Sequence, residues 1–201
     1  MRVSIIIPTF NNLDYLKLIL KSINNNSKYN HEVIVHINEG MDGSLDYVKK
    51  NNIKHTFSKN NIGLCSAVNR AASLSTTDYI MYTHDDMFFC QNWDLVLEDK
   101  IKKQENNLFY LSGKTISNNN INEDLKCGLT ANEFDENLFQ IFCDKDTSLD
   151  IQGSHWAPHL IHKDIWNRVG GFSEEFNPGD GSDPDLCLKL WNIGVRVFMC
   201  I

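Results

Sequence analysis

Through the first 112 residues, short apolar runs alternate with stretches of helical spacing, and few folds accept that alternation. Arg2 to Ile7 is β-branched and stops at Pro8, the pattern of a buried strand. Leu16, Ile19, Leu20 and Ile23 follow at helical spacing and give way to Asn24-Asn25-Asn26. A second strand is expected over 32–37, a helix from an N-cap at Ser44 through Lys50, and a third strand over 53–57. The segment 64–74, with Ala67, Ala71 and Ala72, reads as a helix small enough to pack closely on a sheet. A fourth strand over 78–83, an amphipathic helix over 92–104 and a strand over 108–111 complete the series. The expected fold is α/β, with a mostly parallel central sheet and helices on both faces. Ligands of such sheets bind beyond the carboxyl ends of the strands, so the loops at Pro8, Asn38, Asn60 and His84 should gather on one edge.

The rhythm breaks over 115–150, where only Leu129 to Phe142 offers room for a helix. It resumes with a helix over 163–169 that ends at Gly170-Gly171, and a flexible loop from Gly179 to Ser182. Asp183-Pro184-Asp185 opens a last helix, Gly194 ends it, and 195–201 reads as a strand. Trp166 and Trp191 fall within apolar helix faces and read as core. With no internal repeat and no linker, the 201 residues are expected to form one domain, in two halves at 1–112 and 113–201.

A formal charge of −7 argues against a nucleic-acid partner, which would need a basic face. No apolar run is long enough for a signal peptide or a membrane span, so a cytoplasmic location is expected. The six cysteines lack C-x-x-C spacing, and without a secretory signal reduced thiols are expected rather than disulfides.

The fourth strand runs into His84-Asp85-Asp86. Two carboxylates at the end of a buried strand cost desolvation energy unless a cation or hydrogen bonds compensate, which makes Asp85 and Asp86 candidate ligands of a divalent metal. The alternative is a solvated turn in which one aspartate caps the next segment. Asp183 before Pro184 reads equally well as an N-cap followed by the first helical position. A helix N-terminus also keeps a carboxylate ionised, as a general base requires. His155, Trp156 and His159 combine an aromatic face with polar groups, a combination that serves either packing or sugar contact.

Taken together, these motifs resemble family 2 glycosyltransferases of the GT-A fold. Val3 to Asn11 resembles the family's opening, and Asn61-Ile62-Gly63 with Asn69 its turn and helix before the metal strand. His84-Asp85-Asp86 falls where the family carries its DXD motif. Gly170-Gly171-Phe172 with Asp183 to Leu190 resembles its acceptor-side segment. The resemblance implies a nucleotide-sugar donor, usually a UDP-sugar, and a glycan or lipid-linked sugar acceptor. It also implies manganese or magnesium and inversion at the anomeric carbon. By position, Pro8, Thr9, Phe10, Asn11, Glu39, Asn61 and Gly63 would line the nucleotide site. Asp86 would bind the metal with help from Asp85, and His155, Trp156 and His159 would meet a sugar. Asp183 would be the base, with Asp185 as its alternative. His84 departs from the family's acidic position and would serve as an imidazole ligand or as a partner of ribose or phosphate.

Two enzyme classes fit less well. A sugar nucleotidyltransferase needs a glycine-rich phosphate loop after the first strand, where Pro8-Thr9-Phe10-Asn11 stands. A dinucleotide oxidoreductase fails on the same residues, having no G-x-G-x-x-G there. The remaining alternative is a degenerate transferase domain that binds a nucleotide sugar without turning it over.

Overall fold

A computed structural model describes residues 1–113, 127–145 and 156–200. Its strands are β1 (Ser4–Phe10), β2 (Glu32–Asn38), β3 (Lys54–Ser58), β4 (Tyr79–Tyr82), β5 (Phe109–Ser112), β6 (His159–His162) and β7 (Val197–Cys200). The helices are α1 (Leu13–Asn26), α2 (Ser44–Lys50), α3 (Leu64–Ala72), α4 (Trp93–Lys102), α5 (Glu136–Lys145), α6 (Lys163–Val169) and α7 (Ser182–Asn192). One seven-stranded sheet runs in the order β3-β2-β1-β4-β6-β5-β7. Every neighbouring pair is parallel except the two that β6 makes, with β4 and with β5.

Alternation along the strands sorts the core into two layers. Ile6, Ile34, Ile80, Tyr82, Tyr110 and Ile161 face α3, α6 and α7. Ile5, Ile7, Val35, Ile37, Met81 and Leu111 face α1, α2 and α4. Helices therefore cover both faces, as expected of a sheet built from near-continuous apolar strands. Each fully buried Ile or Leu contributes roughly 1.5–3 kcal/mol of transfer free energy. No described helix is long and apolar enough to cross a membrane.

The structure differs from the sequence expectations in several places. β1 continues past Ile7 through Pro8, which pairs with His36 of β2. Proline is tolerated because Ile6 accepts from the Thr83 N–H on the β4 side, and the β4 ladder ends there. Two residues on, the N–H that Pro8 lacks would point to that same side, where no partner strand remains. β6 was not expected, since His-Leu-Ile-His is too short to show a period. The region 129–142 holds a 3-10 turn at Ala131–Glu133 and then α5. Asp183 is not the N-cap of α7; Gly181 is, at φ 82°, and Asp183 lies inside the first turn. Trp191 is not core either: it is 50 % exposed, with the Arg196 guanidinium 4.0 Å from its ring centre.

The cysteine expectation also fails. Cys90 and Cys143 form a disulfide, while Cys65, Cys127 and Cys187 are free thiols. Packing brings the pair together: Phe88 meets Phe134 and Phe139, at ring separations of 4.7 and 5.4 Å, and seats α5 beside the segment after β4. A separation of 53 residues carries no spacing signal from which that pairing could be read.

Candidate active site

β1 lies between β2 and β4, so the chain leaves its carboxyl end in one direction and returns on the other side. Such a reversal of strand order opens a crevice beyond the strand ends. Thr9 closes the floor of that crevice, its hydroxyl donating to Asp85 Oδ2 at 2.5 Å across the gap between β1 and the end of β4. Asp85 is pulled two ways. Burial pushes its carboxyl up from the ordinary range, and the neighbouring Asp86 adds to this. Hydrogen bonds from Thr9 and Asn12, and the nearby His84, act in the opposite direction. Asp86 is exposed. Among the described residues, no three His, Cys, Asp or Glu side chains converge into a metal cage.

The loops after β1 and β2 are held by each other. Asn11 (φ 48°) and Glu39 (φ 63°) both occupy the left-handed region that non-glycine residues rarely adopt. The Asn11 amide donates to Glu39 Oε2 at 3.4 Å and accepts from the Met41 N–H at 2.9 Å. Strained backbone at two adjacent strand ends is a feature of binding sites held in place by the surrounding structure. Below them His36 is fully buried, bonded to Thr56 at 2.7 Å and Ser58 at 3.1 Å. Burial lowers the His36 imidazole to about 4, so it works as a neutral strut. Ser58 passes the connection to Asn38, which also accepts from the Ile62 N–H and so fixes the turn at Asn61. Asn61 itself caps that turn, accepting from the Gly63 N–H at 2.9 Å. Phe10 is exposed at the rim.

Gly63 is required for a packing reason. A Cβ there would collide with Asn177, whose Oδ1 accepts from the Cys65 N–H at 3.0 Å and so caps α3 from a distant segment. Asn69 is structural as well, bonding both the N–H and the C=O of Phe172. Asn12, Asn177 and the structural part of Asn69 went unread in the sequence. An Asn before a Pro marks a turn, but no local signal shows which helix it caps.

Asp183 reaches the site from α7. Its side chain keeps 14 % exposure, and Oδ1 lies 3.8 Å from His159 Nε2. Asp185 is tied elsewhere: it accepts from the Ser173 hydroxyl at 2.6 Å and sits 3.6 Å from Lys189 Nζ, which also holds the Gly171 carbonyl. Tyr82, at the end of β4, is buried nearby, and its hydroxyl makes no hydrogen bond among the described residues. Its hydroxyl is raised well above its ordinary value by burial, and then by Asp183, Asp86 and Asp85 among the nearby charges. The sequence put His159 on the sugar face, but its ring is 1 % exposed and lies inside. Trp156 is 62 % exposed. His155 lies outside the described residues.

Known proteins agree with this architecture. Solved structures similar to the whole chain include S. aureus TarS 1-349, with a TM-score of 0.70 at 16 % identity, where the chain spans 58 % of that protein. The complex of the same fragment with UDP gives 0.71 at 15 % identity over the same share. The mannosyltransferase PcManGT from Pyrobaculum calidifontis, in complex with GDP-Man and Mn2+, gives 0.67 at 16 % identity, and the chain spans 57 % of it. At such identities the likeness establishes the GT-A fold. An uncharacterized glycosyltransferase of Rickettsia bellii is 33 % identical over 115 residues, covering 55 % of this chain but 16 % of that protein. The sequence profile of glycosyl transferase family 2 matches residues 4–169, from the first strand through the helix before Gly170-Gly171. With that match spanning most of the chain, and the fold and strand-end crevice in accord with it, the chain belongs to glycosyl transferase family 2.

Proposed function

We propose that the chain moves a sugar from a nucleotide-sugar donor, foremost a UDP-sugar, to an acceptor hydroxyl with inversion at the anomeric carbon. The observation that carries the reading is the crevice at the β1/β4 reversal, where the Thr9 hydroxyl donates to Asp85 at 2.5 Å and Asp86 stands exposed beside it. Structural neighbours named as complexes with UDP, UDP-GlcNAc and GDP-Man support a nucleotide-sugar donor. The acceptor in this reading is a glycan or a lipid-linked sugar.

The donor set suits magnesium or manganese. Such cations take one or two carboxylates and complete their shell with phosphate oxygens and water rather than with an all-protein cage. Asp86 is exposed and supplies the first carboxylate; Asp85, held by Thr9 and carrying a desolvation cost that a cation offsets, assists. When bound, the ion neutralises charge on the departing nucleotide diphosphate. Asn11 and Glu39 present polar atoms to the base and ribose from a backbone already fixed in its unusual conformation. In this reading His84, next to Asp85, serves as an imidazole ligand of the ion or as a partner of ribose or phosphate. Asp183 accepts the proton from the acceptor hydroxyl as it attacks. Asp185 is the alternative, with its carboxylate held by Ser173 and 3.6 Å from Lys189.

The test is thermal melting with UDP, UDP-GlcNAc and GDP-Man, each with and without MnCl2. A ligand at about a hundred times its Kd stabilises the fold by about 2.7 kcal/mol, a rise of roughly 5–10 °C at this size. We expect UDP with manganese to give such a rise and Asp86→Ala to lose its manganese-dependent part. The absence of a shift with any of the nucleotides would sink the proposal. A shift without nucleotide release from any donor would favour the non-catalytic binding domain.

A further inference from the structure

The first turn of α3 is clasped by the loop that leads into α7. Asn177 Oδ1 accepts from the Cys65 N–H at 3.0 Å, and its Nδ2 donates to the Ser66 hydroxyl at 2.9 Å. The Leu64 N–H donates to the Pro178 carbonyl at 3.0 Å. A helix leaves its first N–H groups without intrahelical partners, and here one distant loop supplies them. The fit is close: a Cβ at Gly63 would strike the Asn177 amide, and one at Gly179 would lie 3.4 Å from that of Leu64. From the clasp the chain turns directly into α7. The Gly179 carbonyl accepts from both the N–H and the hydroxyl of Ser182, at 3.1 and 2.7 Å, and the Gly181 carbonyl accepts from the Asp185 N–H at 3.1 Å. Asp183 sits inside that turn. A second connection runs beside the first: Asn69 of α3 holds Phe172, and the neighbouring Ser173 hydroxyl donates to Asp185 at 2.6 Å. Pro178 and Asp180 are exposed, so the loop takes its place from Asn177 rather than from burial.

We propose that Asn177 is a positioning residue for Asp183: it fastens the loop at 177–181 to α3 and so sets how far the acceptor-side carboxylate stands from the donor crevice. This rests on the reading of Asp183 as the base. Helix α3 suits the task of anchor because one end of it faces both partners. Asn61 and Gly63 belong to the nucleotide side in that reading, and Cys65 and Ser66, in the next turn, receive Asn177. The helix itself is fixed on the sheet by Ala67, Val68 and Ala71, all fully buried, so the loop conforms to α3 and not the reverse. An in-line displacement needs the proton acceptor within hydrogen-bond reach of the attacking hydroxyl while the diphosphate leaves on the far side. A misplacement of about 1 Å from a change far from the chemistry can cost about a hundredfold in rate. Asn177 touches neither the substrate nor the proton in this reading; it acts through Asp183.

The test has two arms. The first is nucleotide release from UDP-GlcNAc or GDP-Man with MnCl2, where water takes the place of the acceptor hydroxyl. Asn177→Ala should lower kcat about 10- to 100-fold with the Kd for UDP and manganese unchanged. Asn177→Asp keeps an oxygen for the Cys65 N–H and should recover most of kcat. Glu32→Ala, at the opposite edge of the sheet, controls for lost stability and should leave kcat unchanged. The second arm is hydrogen exchange, which needs no turnover: Asn177→Ala should speed exchange at Cys65 and Ser66 and also at Asp185, on the far side of the loop. Faster exchange at α3 alone, or an unchanged kcat in Asn177→Ala, overturns the positioning role while leaving Asp183 as base. A UDP affinity that falls in step with kcat overturns it as well, since the loss would then lie in donor binding. Full nucleotide release by Asp183→Asn overturns the base assignment, and the positioning role with it. Binding of UDP by the unaltered chain with no release from any donor does the same to the catalytic reading as a whole. Should Asn177→Ala fail to fold, Ser66→Ala removes only the Asn177 Nδ2 contact and should give the same pattern on a smaller scale.

Discussion

At the amino ends of β1 and β2, Glu32 is surrounded by donors; at the carboxyl ends of β1 and β4, Asp85 meets a second carboxylate instead. Glu32 accepts from the Ser4 hydroxyl at 2.5 Å, the Thr76 N–H at 2.8 Å, the Thr76 hydroxyl at 2.9 Å and Lys54 Nζ at 2.9 Å. Burial alone would raise its carboxyl, yet these partners hold it at about 2. Asp94, on the same side of the molecule, accepts from the Lys28 and Tyr29 N–H groups and pairs with His31. At the other edge, burial outweighs the bonds from Thr9 and Asn12, and Asp85 is raised. At the first edge both Glu32 oxygens are satisfied within the chain. At the other, Asp85 keeps a desolvation cost that its own hydrogen bonds do not offset. Burial is common to both, so the difference lies in the supply of donors.

Substitutions at the two edges should therefore separate activity from stability. The largest effect should be on turnover: Asp183→Asn lowers nucleotide-sugar transfer by about a thousandfold, within the range for a lost general base, while the melting temperature stays within a few degrees. A large loss of melting temperature in that variant would make Asp183 a structural residue and break the contrast. Glu32→Ala should do the reverse. It removes an acceptor from Ser4, Thr76 and Lys54 and costs about 2–3 kcal/mol, a figure reduced because Lys54 is partly exposed and keeps the Leu74 carbonyl. Denaturant unfolding measures it, and UDP with manganese should still raise the melting point.

Reducing the Cys90–Cys143 bond should lower stability by about 2–4 kcal/mol, since the bridge closes a long loop between the segment after β4 and α5. Melting with and without reductant reads this directly, and identical curves would show that the bridge contributes nothing. The smallest effect is a pH dependence. Glu32 titrates near 4.5 in an unfolded chain and at about 2 in the fold. Its contribution is thus complete above about 4.5 and is lost as pH falls toward 2. The fall amounts to about 2 kcal/mol after screening at Lys54, and Glu32→Gln should flatten it.

Much of the fold was legible because its strands are buried on both faces. Such strands are continuous apolar runs, and the helices between them show their 3.6-residue period plainly, as Leu16, Ile19 and Ile23 do on α1. The candidate carboxylates were legible for a related reason: Asp85 and Asp86 interrupt an apolar run, and a charge at the end of a core strand needs a cause. β6 was not legible, because four residues flanked by histidines carry no period, and its antiparallel insertion between β4 and β5 depends on contacts made elsewhere. The disulfide, the remote cap from Asn177 and the burial of His159 escaped for the same reason, each being a relation between residues far apart in the chain.

By itself, the sequence determined the α/β order, the two-sided core and the loop that carries Asp85 and Asp86, since each arises from local composition and spacing. Only the tertiary structure decided which donors each carboxylate meets. It surrounded Glu32 with donors from β1, β3 and the Thr76 turn, tied Asp185 to Ser173 and Lys189, and set His159 behind Asp183. The physical reason is that the cost of a buried charge depends on every group within a few ångströms of it, and packing, not sequence neighbourhood, chooses those groups.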